Sequence, residues 1–498
     1  MLTDSKQNTL LCLVVATVFS MIFALILSLV GIINVSLPPK EKYGIVFEAG
    51  STHTDLFIYR WPTDKENDTG VVSQVHMCKV AGPGISSYAD EPQKAGESLT
   101  KCLDEAMTII PLANQPETSV SLGATGGMML LRFHSPEAAQ RILDEVSRTI
   151  QKYPGNFRGA HILTGLDEGA YNWVTVNYLL HSFMTYSFNG VWVRPATTHM
   201  YGALDLGDVA TLISFIPNVN IEDKREEATL RLYGVNYTIY THSYFCYGVH
   251  PALKKLLLQA IVGKNLVNPI IHPCYPDGYM ETVPLTSLYE SPCTHHLAFS
   301  LYKPDLSGNI TLVGGGDAFA CRSLTKQIFN FSACGKKQSC SFDGVYQPPV
   351  SGKFLAFSGF YDIFNFLNLT KASAFQDVYR KLKEFCSINW NQLRTQYPYE
   401  REDWLRDSCG IANYILTLLL DVYKFTEDTW NNIIFQKQVD KTDIGWTLGH
   451  MLNLTNMIPA EATVNIHGQD YRFWTAAIFF IVFALALSVI MLIIYMKC

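Results

Sequence analysis

A polar turn between two short apolar runs carries residue types that could bind an anion or a metal ion. Residues 45–47 and 56–59 are apolar enough to form buried strands. A glycine turn between them can point several backbone N–H groups at one spot, and Glu48 offers a carboxylate to a divalent cation. Hydroxyl groups on Ser51 and Thr52 add donors. An ordinary hairpin with a polar turn is the alternative.

A second stretch, residues 203–216, repeats this layout. It has an apolar lead, the carboxylate of Asp205, a turn at Gly207, then Thr211 and an apolar strand. Two such hairpins far apart in one chain suggest a duplicated fold with a phosphate group held between its halves. Asp205 and Glu48 could then share a divalent metal ion, directly or through water. Two unrelated turn carboxylates are the alternative.

Two further glycine-containing elements follow predicted strands, at residues 123–128 and 165–169. None of the four elements contains the motif G-x-x-x-x-G-K-[ST], so backbone N–H groups, hydroxyls and a metal ion would have to hold a phosphate. Glu168 could accept a proton from a water that attacks a phosphate; an acid that stabilises the helix dipole is the alternative. A fifth glycine run, residues 313–317, has no predicted strand and helix around it and is interpreted as a loop.

Other reactive or stacking side chains have simpler interpretations. Ser51, His53 and Asp55 are close in sequence, but no G-x-S-x-G motif surrounds them, so they do not indicate a hydrolase triad. His53 is interpreted as a structural turn residue. Trp390, Trp404 and Arg406 could form an aromatic and guanidinium site for a nucleobase, with core packing as the alternative for the two tryptophans.

Composition and two apolar segments indicate a membrane protein that does not bind nucleic acid. The chain has 498 residues, 48% of them hydrophobic, and a net charge of −6, whereas nucleic-acid binding requires a basic face. Residues 10–33 and 473–496 each lack Lys, Arg, Asp and Glu. Since about 20 apolar residues span a bilayer, both segments predict transmembrane helices. A cleaved signal peptide is the alternative for the first, but no small-x-small cleavage site follows it.

Cysteines and glycosylation motifs indicate that the long middle segment lies outside the cytoplasm. It contains ten cysteines, an even number, and none forms the CxxC pair of a zinc site. Asn-x-Ser/Thr motifs stand at Asn67, Asn236, Asn309, Asn330, Asn368 and Asn453. Both features are typical of an oxidising compartment. We therefore expect a multi-pass plasma-membrane protein with an extracellular middle and two short cytoplasmic tails.

The motifs above resemble those of the ecto-nucleoside triphosphate diphosphohydrolases, the apyrase family of the actin/Hsp70/sugar-kinase superfamily. The resemblance extends over essentially the whole chain, and its most specific regions are residues 44–54, 123–132, 164–180, 203–215, 357–367 and 443–461. Alternating strands and helices independently predict an α/β fold. The resemblance implies two RNase-H-like lobes with the nucleotide in the cleft, flanked by an N- and a C-terminal transmembrane helix.

These implications give the following domain boundaries. A cytoplasmic tail covers 1–9, a transmembrane helix 10–33, the first extracellular lobe 37–162 plus 430–471, the second lobe 163–429, the other transmembrane helix 473–496, and a second tail 497–498. The two transmembrane helices could also associate into a homo-oligomer.

Members of this family hydrolyse nucleoside tri- and diphosphates (ATP, ADP, UTP and UDP) to the monophosphate. They use Ca²⁺ or Mg²⁺ and an activated water, without a phosphoenzyme. The resemblance implies that Glu168 is the general base, that Asp205 and Glu48 hold the metal ion through water, and that Arg406 and Tyr361 bind the base. The implied phosphate-binding residues are Gly50, Ser51, Thr52, His53, Thr125, Gly126, Gly207, Asp208 and Thr211. The implied disulfides are Cys78–Cys102, Cys246–Cys293, Cys274–Cys321, Cys334–Cys340 and Cys386–Cys409.

Several positions depart from the family pattern, and the most serious lie where phosphate or water would bind. Glu48 replaces an Asp, and Asp208 adds a charge and a Cβ where the family has Gly. Ala210 and Leu212 replace a Ser and a Gln that would help to position the attacking water. The other departures are Gly126, Met129, Leu166, Asp167 and Asp362. Because loss of one positioning contact can lower the rate on the order of 10²-fold, a cell-surface nucleotide-binding protein without catalysis is the alternative function.

Overall fold

The computed structural model describes ten segments of the chain. They are residues 4–30, 32–36, 40–187, 192–195, 200–261, 269–289, 291–294, 308–371, 374–461 and 465–496. The expected start of the first lobe at 37–39, the first residues of the N-terminal tail and the tail at 497–498 lie outside these segments. The chain forms two compact units, a terminal unit (residues 1–40 and 460–498) and a central unit (residues 41–459).

Strands and helices are numbered here in chain order. The strands are β1 Ile32–Ser36, β2 Glu41–Ala49, β3 Thr54–Pro62, β4 Ser73–Lys79, β5 Ser119–Ala124, β6 Asn156–Ile162, β7 Thr185–Tyr186, β8 Trp192–Val193, β9 Gly202–Leu206, β10 Ala210–Phe215, β11 Glu227–Leu232, β12 Val235–Phe245, β13 Ile270–His272, β14 Met280–Pro284, β15 Asn309–Gly314, β16 Phe354–Ser358, β17 Ile433–Phe435, β18 Gln438–Val439, β19 Thr442–Asp443 and β20 Asn465–Gln469. The α-helices are α1 Asp4–Leu29, α2 Pro92–Ile109, α3 Gly126–His134, α4 Pro136–Ile150, α5 Gly165–Leu179, α6 Val249–Ile261, α7 Thr286–Tyr289, α8 Ala318–Lys326, α9 Gly359–Phe366, α10 Phe375–Cys386, α11 Trp390–Gln396, α12 Glu402–Thr417, α13 Trp446–Thr455 and α14 Tyr471–Met496.

The terminal unit consists of two long apolar helices and a two-stranded sheet. Segments 7–29 of α1 and 471–496 of α14 are long and apolar enough to cross a membrane. The helices contact each other, since the rings of Phe23 and Phe480 stack at 5.6 Å and the hydroxyl of Ser20 donates to the Phe480 carbonyl at 3.0 Å. The sequence placed the end of the first span at residue 33, but α1 ends at Leu29. The β-branched residues that follow favour a strand, and β1 pairs antiparallel with β20 there.

The central unit contains two large sheets with the same strand order. The first runs β4-β3-β2-β5-β6, in which β2 is antiparallel to β3 and parallel to β5. The second runs β11-β12-β10-β9-β16-β17, in which β9 is antiparallel to β10 and parallel to β16. Apart from the extra edge strand β11, the two sheets have the same order and directions. This duplicated topology is the predicted α/β fold of two RNase-H-like lobes.

Apolar side chains on both faces of these sheets form the cores. Helices α2 and α4 cover the outer face of the first sheet, with Leu99 and Val146 among the fully buried residues. A separate core joins the two sheets and contains Val46 from the first, Leu355 from the second, and Trp173 of α5. Such close-packed interiors hold loops at the sheet edges in fixed positions.

Helices α5 and α13 lie against each other within that shared core. The Gly449 N–H donates to the Thr175 hydroxyl at 2.8 Å, and a Cβ at position 449 would lie 2.0 Å from the Tyr171 carbonyl oxygen. Only glycine allows this approach. Trp446, at the start of α13, lies against Gly123 of the first sheet. Helix α13 therefore connects the first sheet with α5. The lobe boundaries at 162–163 and 429–430 stay a prediction.

The interpretation of residues 313–317 as a plain loop is wrong. Strand β15 ends at Gly314, and α8 begins at Ala318. The Asp317 carboxylate accepts hydrogen bonds from the N–H groups of Phe319 and Ala320, which is a helix N-cap. Sequence inspection missed the strand because its partners, β13 and β14, lie elsewhere in the chain.

The structure contains all five expected disulfide bonds: Cys78–Cys102, Cys246–Cys293, Cys274–Cys321, Cys334–Cys340 and Cys386–Cys409. Most asparagines of the glycosylation motifs have exposed side chains, namely Asn67, Asn236, Asn309, Asn330 and Asn368. Asn453 is half-buried on α13 and interacts with Tyr171. Asn453 is therefore the least accessible of the six to a glycan.

Candidate functional site

Three turns from the two sheets meet at one place. They are residues 50–53 after β2, residues 125–127 after β5, and residues 207–209 after β9. The Thr52 hydroxyl donates to the Asp208 carboxylate at 3.0 Å. A Cβ at Gly126 would lie 2.8 Å from the Val209 Cβ and 2.9 Å from the Ser51 hydroxyl. The two hairpins and the intervening turn thus come together, as the sequence predicted.

Backbone donors of two of these turns are unpaired. Among the described residues, the N–H groups of Ser51, Thr52, Asp208 and Val209 have no hydrogen-bond acceptor. The carbonyl groups of residues 207–209, in contrast, are paired: they accept hydrogen bonds from the N–H groups of residues 248–250 at the start of α6. Hydrogen bonds to its carbonyl groups therefore hold the turn at residues 207–209 in place, while its N–H groups at residues 208 and 209 remain unpaired. Clustered backbone N–H groups of this kind can bind an anion.

Three carboxylates lie beside the turns. Glu48 is near the end of β2, Asp205 lies on β9, and Glu168 is in the first turn of α5. Glu168 and Asp205 are each only 9% exposed. Burial raises the pKa of Glu168 well above its ordinary value, and the charges of Asp205 and Glu48 raise it further. The three groups are therefore close enough to repel one another.

The pKa values of the other two carboxyls are raised as well. Burial, followed by the charges of Asp205 and Asp55, raises the pKa of Glu48 from 4.5 to about 8. Burial raises the pKa of Asp205 from 3.8 to about 6, against hydrogen bonds from Ser358 and Asn172 that lower it. A buried carboxyl that ionises at neutral pH needs a nearby positive charge.

The donor set fits a divalent cation. Within the described segments, the charged side chains that most affect the pKa values of Glu48, Glu168 and Asp205 are all carboxylates. Oxygen ligands of this type suit Ca²⁺ and Mg²⁺. In the same segments, no three His, Cys, Asp or Glu side chains are arranged to hold a metal ion directly. The arrangement therefore fits a cation held partly through water.

Two residues that sequence inspection missed orient Asp205. The Asn172 side-chain nitrogen donates to the Asp205 carboxylate at 2.9 Å. Ser358, at the end of β16, lies near enough to lower the pKa of Asp205 and has a φ of 50°, which is rare for a residue with a side chain. Asn172 lies one helical turn after Glu168, so its spacing was the available signal. No local pattern indicated Ser358, because β16 pairs with β9 across a long insertion.

Trp446 lies beside Glu48. Its indole N–H has no acceptor at normal hydrogen-bond distance among the described residues, yet it is near enough to oppose the rise in the pKa of Glu48. A Cβ at Gly123 would lie 2.3 Å from the Trp446 ring. This tight fit fixes the indole next to the carboxyl. Sequence inspection assigned no role to Trp446.

The burial of Thr211 argues against the prediction that it binds phosphate. The Thr211 hydroxyl is fully buried, donates to the Asp205 carbonyl at 3.0 Å and lies 2.9 Å from the Tyr423 hydroxyl. Successive side chains on a strand point to opposite faces, and Thr211 points into the core. Its neighbour Leu212 is 2% exposed and pairs with Asp205 across the hairpin.

The remaining phosphate-binding candidates lie in the three turns. Thr125 is 9% exposed, and its N–H donates to the Ala49 carbonyl at 3.0 Å. His53 is half-exposed; one ring nitrogen lies 3.2 Å from the Thr52 hydroxyl and the other 3.6 Å from the Asp55 carboxylate. These contacts agree with the interpretation of His53 as a structural turn residue. Gly50, Gly126 and Gly207 occupy the turns themselves.

The two residues predicted to bind the base do not contact each other within the described segments. Arg406 lies on α12 and donates two hydrogen bonds to Asp407, at 2.8 and 2.7 Å, and one to Glu281 at 3.0 Å. Its guanidinium lies 5.5 Å from the Tyr275 ring centre. Tyr361 lies on α9, with partly exposed surface. Carboxylates hold Arg406 in one orientation, and a role in base binding stays a prediction.

Fold and site together define a two-lobed α/β protein in which anion-binding turns lie beside buried carboxylates. The model of the GDA1/CD39 (nucleoside phosphatase) family matches residues 34–467. The chain therefore belongs to this family of apyrase-type hydrolases.

Comparisons with individual proteins agree with this assignment. Ectonucleoside triphosphate diphosphohydrolase 8 of Bos taurus is 48% identical over 97% of this chain and 96% of its own length. The protein of the same name from Homo sapiens is 46% identical over 96% of each chain. Ectonucleoside triphosphate diphosphohydrolase 2 of Mus musculus is 42% identical over 92% of each. A crystal structure of nucleoside triphosphate hydrolases from Neospora caninum has the same fold, with a TM-score of 0.56 at 12% identity, over 84% of this chain and 93% of that one.

Proposed function

We propose that this protein hydrolyses nucleoside tri- and diphosphates, including ATP, ADP, UTP and UDP, to the monophosphate and phosphate. The observation that carries the proposal is the position of two buried carboxylates, Glu168 and Asp205, and the partly buried Glu48 beside turns with unpaired N–H groups. Names of the relatives, which are triphosphate diphosphohydrolases, support the same substrates.

Glu168 is the general base in this proposal. Its carboxyl is buried at the start of α5, where burial raises its pKa, and a divalent cation nearby would keep it ionised and able to take a water proton. Asp205 and Glu48 would hold Ca²⁺ or Mg²⁺, which supplies positive charge to the phosphate oxygens and to the acidic site. Water attacks the terminal phosphorus while Glu168 takes the water proton, and the bond from that phosphorus to the bridging oxygen breaks. Phosphate and the nucleotide shortened by one phosphate group leave, so no covalent phosphoenzyme is needed.

The turns bind the phosphate groups. Unpaired N–H groups of residues 51–52 and 208–209 and the Thr52 hydroxyl are the donors on the two sides. Such donors stabilise charge that develops on phosphate oxygens during the reaction. Leu212 and Ala210 offer no hydroxyl or amide there, so we expect the attacking water to be less well positioned than in the family pattern.

We further propose that the central unit is extracellular and that both chain ends are cytoplasmic, in the plasma membrane. Five disulfide bonds and five exposed asparagines in glycosylation motifs support this orientation. A homo-oligomer that forms through α1 and α14 is also proposed.

Washed intact cells that express the full chain test the function and its orientation together. Phosphate released from ATP, ADP, UTP and UDP is measured with Ca²⁺ or Mg²⁺, against cells with Glu168→Ala at equal surface amounts. We expect release from the wild type alone. Release no greater than that of Glu168→Ala contradicts the proposal, and retained nucleotide binding would then favour a non-catalytic binding protein.

A further inference from the structure

Asp208 connects the two anion-binding turns. One carboxylate oxygen accepts from the Thr52 hydroxyl at 3.0 Å, although the two residues lie 156 positions apart. The other carboxylate oxygen lies 3.8 Å from the ring atom Nε2 of His250. The backbone N–H of His250 also donates to the backbone carbonyl of Asp208, at 3.0 Å. The side chain is partly exposed, with 32% of its surface accessible. Asp208 therefore extends from the second turn to the first.

The Asp208 carboxylate accepts the hydrogen bond of the Thr52 hydroxyl, which the proposed function assigns as a donor to phosphate. A carboxylate oxygen and a phosphate oxygen are both anionic acceptors, so they compete for the same hydroxyl donor. The adjacent N–H groups of Asp208 and Val209 have no acceptor among the described residues. The turn thus carries both unpaired N–H donors that could bind an anion and a negatively charged side chain, the carboxylate of Asp208.

The packing of Val209 keeps this competitor in place. A Cβ at Gly126 would lie 2.8 Å from the Val209 Cβ and 3.0 Å from one of its methyl groups. Val209 therefore fills the space beside Gly126, and the second turn is held against the first sheet. The Thr52–Asp208 hydrogen bond and the packing of Val209 beside Gly126 therefore both hold the second turn against turns of the first sheet.

We propose that Asp208 is an internal competitor for the phosphate group and sets the affinity of this site for substrate and for released phosphate. This proposal rests on the proposed function. A phosphate that enters must displace the carboxylate from Thr52 and overcome its negative charge, so Asp208 weakens phosphate binding. Substrate KM is then high, and inorganic phosphate leaves the site readily.

Binding of inorganic phosphate tests the proposal without any turnover. The full chain in detergent with Mg²⁺ is titrated with phosphate by calorimetry, for the wild type, Asp208→Asn and Asp208→Ala. We expect both variants to bind phosphate about tenfold more tightly, which corresponds to about 1.4 kcal/mol. The matched control is Asp428→Asn, at an exposed aspartate with no hydrogen-bond partner in the described segments. Gains no larger than that of the control overturn the proposal.

A double-mutant cycle separates competition for the hydroxyl from general charge repulsion. Thr52→Val removes the hydroxyl and keeps the shape of the side chain. In this background the gain from Asp208→Ala should be at least about threefold smaller than in the wild type, because no donor remains to compete for. If Asp208→Ala increases phosphate affinity equally in both backgrounds, the proposed competition for the Thr52 hydroxyl is wrong.

Kinetics distinguish this inference from the proposed function. If the wild type hydrolyses nucleotides, Asp208→Ala should lower KM by about tenfold and change kcat less. Hydrolysis with an unchanged phosphate affinity in both variants means that the function stands and the competitor fails. Tighter phosphate binding in the variants without any hydrolysis by the wild type means that the competitor stands and the proposed function fails.

Discussion

Asn172 donates a hydrogen bond to the Asp205 carboxylate at 2.9 Å, and this contact joins α5 to β9. Asn172 lies on the same helix as Glu168, one turn later. One helix therefore carries the proposed base and also orients the proposed metal carboxylate. The Asn172 side-chain oxygen has no partner among the described residues, and only 1% of the residue is exposed.

Replacement of Asn172 should weaken the response to the divalent cation. Groups that orient metal ligands typically contribute 10- to 100-fold to affinity or activity, so Asn172→Ala should raise the Mg²⁺ concentration for half-maximal hydrolysis by about tenfold. Asn177→Ala is the control, because Asn177 is buried on the same helix but bonds the backbone of Trp173 and Tyr201. The control should lose stability and keep its Mg²⁺ dependence. Equal Mg²⁺ dependence in both variants would contradict the role of Asn172.

Thr211 should matter for stability and not for phosphate binding. Thr211→Val leaves the buried Tyr423 hydroxyl without its partner, which should lower the free energy of unfolding by about 1–3 kcal/mol. Its KM for ATP should stay unchanged. Thr52→Val is the comparison, since it should raise KM and hardly affect unfolding in urea. A raised KM in Thr211→Val without loss of stability would show that Thr211 faces phosphate after all.

Gly126 and Val209 should behave as a coupled pair. A Cβ at position 126 would lie 2.8 Å from the Val209 Cβ, so Gly126→Ala must displace one turn. Displacement of a positioning turn by about 1 Å can cost on the order of 10²-fold, so we expect a large loss of kcat/KM. Adding Val209→Gly should restore most of it, because glycine removes the Cβ that a side chain at position 126 would meet. Losses that simply add would contradict the coupling.

Stability should fall with rising pH when divalent cations are removed. Between its ordinary pKa of 4.5 and about 8, folded Glu48 keeps a proton that the unfolded chain has lost, so rising pH favours unfolding. Asp205 acts in the same direction between 3.8 and about 6. Thermal unfolding in EDTA across this range should show a falling Tm, and Glu48→Gln should flatten the fall above pH 6.

Cations and a distant carboxylate provide the controls for this pH dependence. Added Mg²⁺ should raise Tm most at the alkaline end, where the ionised carboxylates repel one another. Asp428→Asn, at an exposed position, should leave the pH dependence of the wild type intact. A Tm that rises with pH in EDTA would contradict the carboxylate cluster.

Local patterns in the sequence were sufficient to predict the two hairpins. Buried runs such as residues 45–47, followed by a glycine turn, form β2 and β3, and the same layout forms β9 and β10. Their repetition predicted the duplicated fold, because hairpins depend on neighbouring residues. The identities of Glu48, Glu168 and Asp205 also followed from their turns.

Contacts between distant segments were beyond local patterns. The Thr52–Asp208 hydrogen bond and the strained Ser358 beside Asp205 depend on how the sheets pack. Thr211 looked like a turn hydroxyl, but strand alternation turns it into the core. The predicted first span extends to residue 33 because Ile32 and Ile33 of β1 continue the uncharged run, whereas α1 ends at Leu29.

The rate of ATP hydrolysis by purified Glu168→Gln is the most direct test of the central claim that Glu168 activates water. The substitution keeps the size of the side chain and removes the base, so kcat should fall by about 10²- to 10⁴-fold while KM changes little. Glu97→Gln, at an exposed position on α2, is the matched control and should keep wild-type kcat. A Glu168→Gln variant with the kcat of that control would contradict the account.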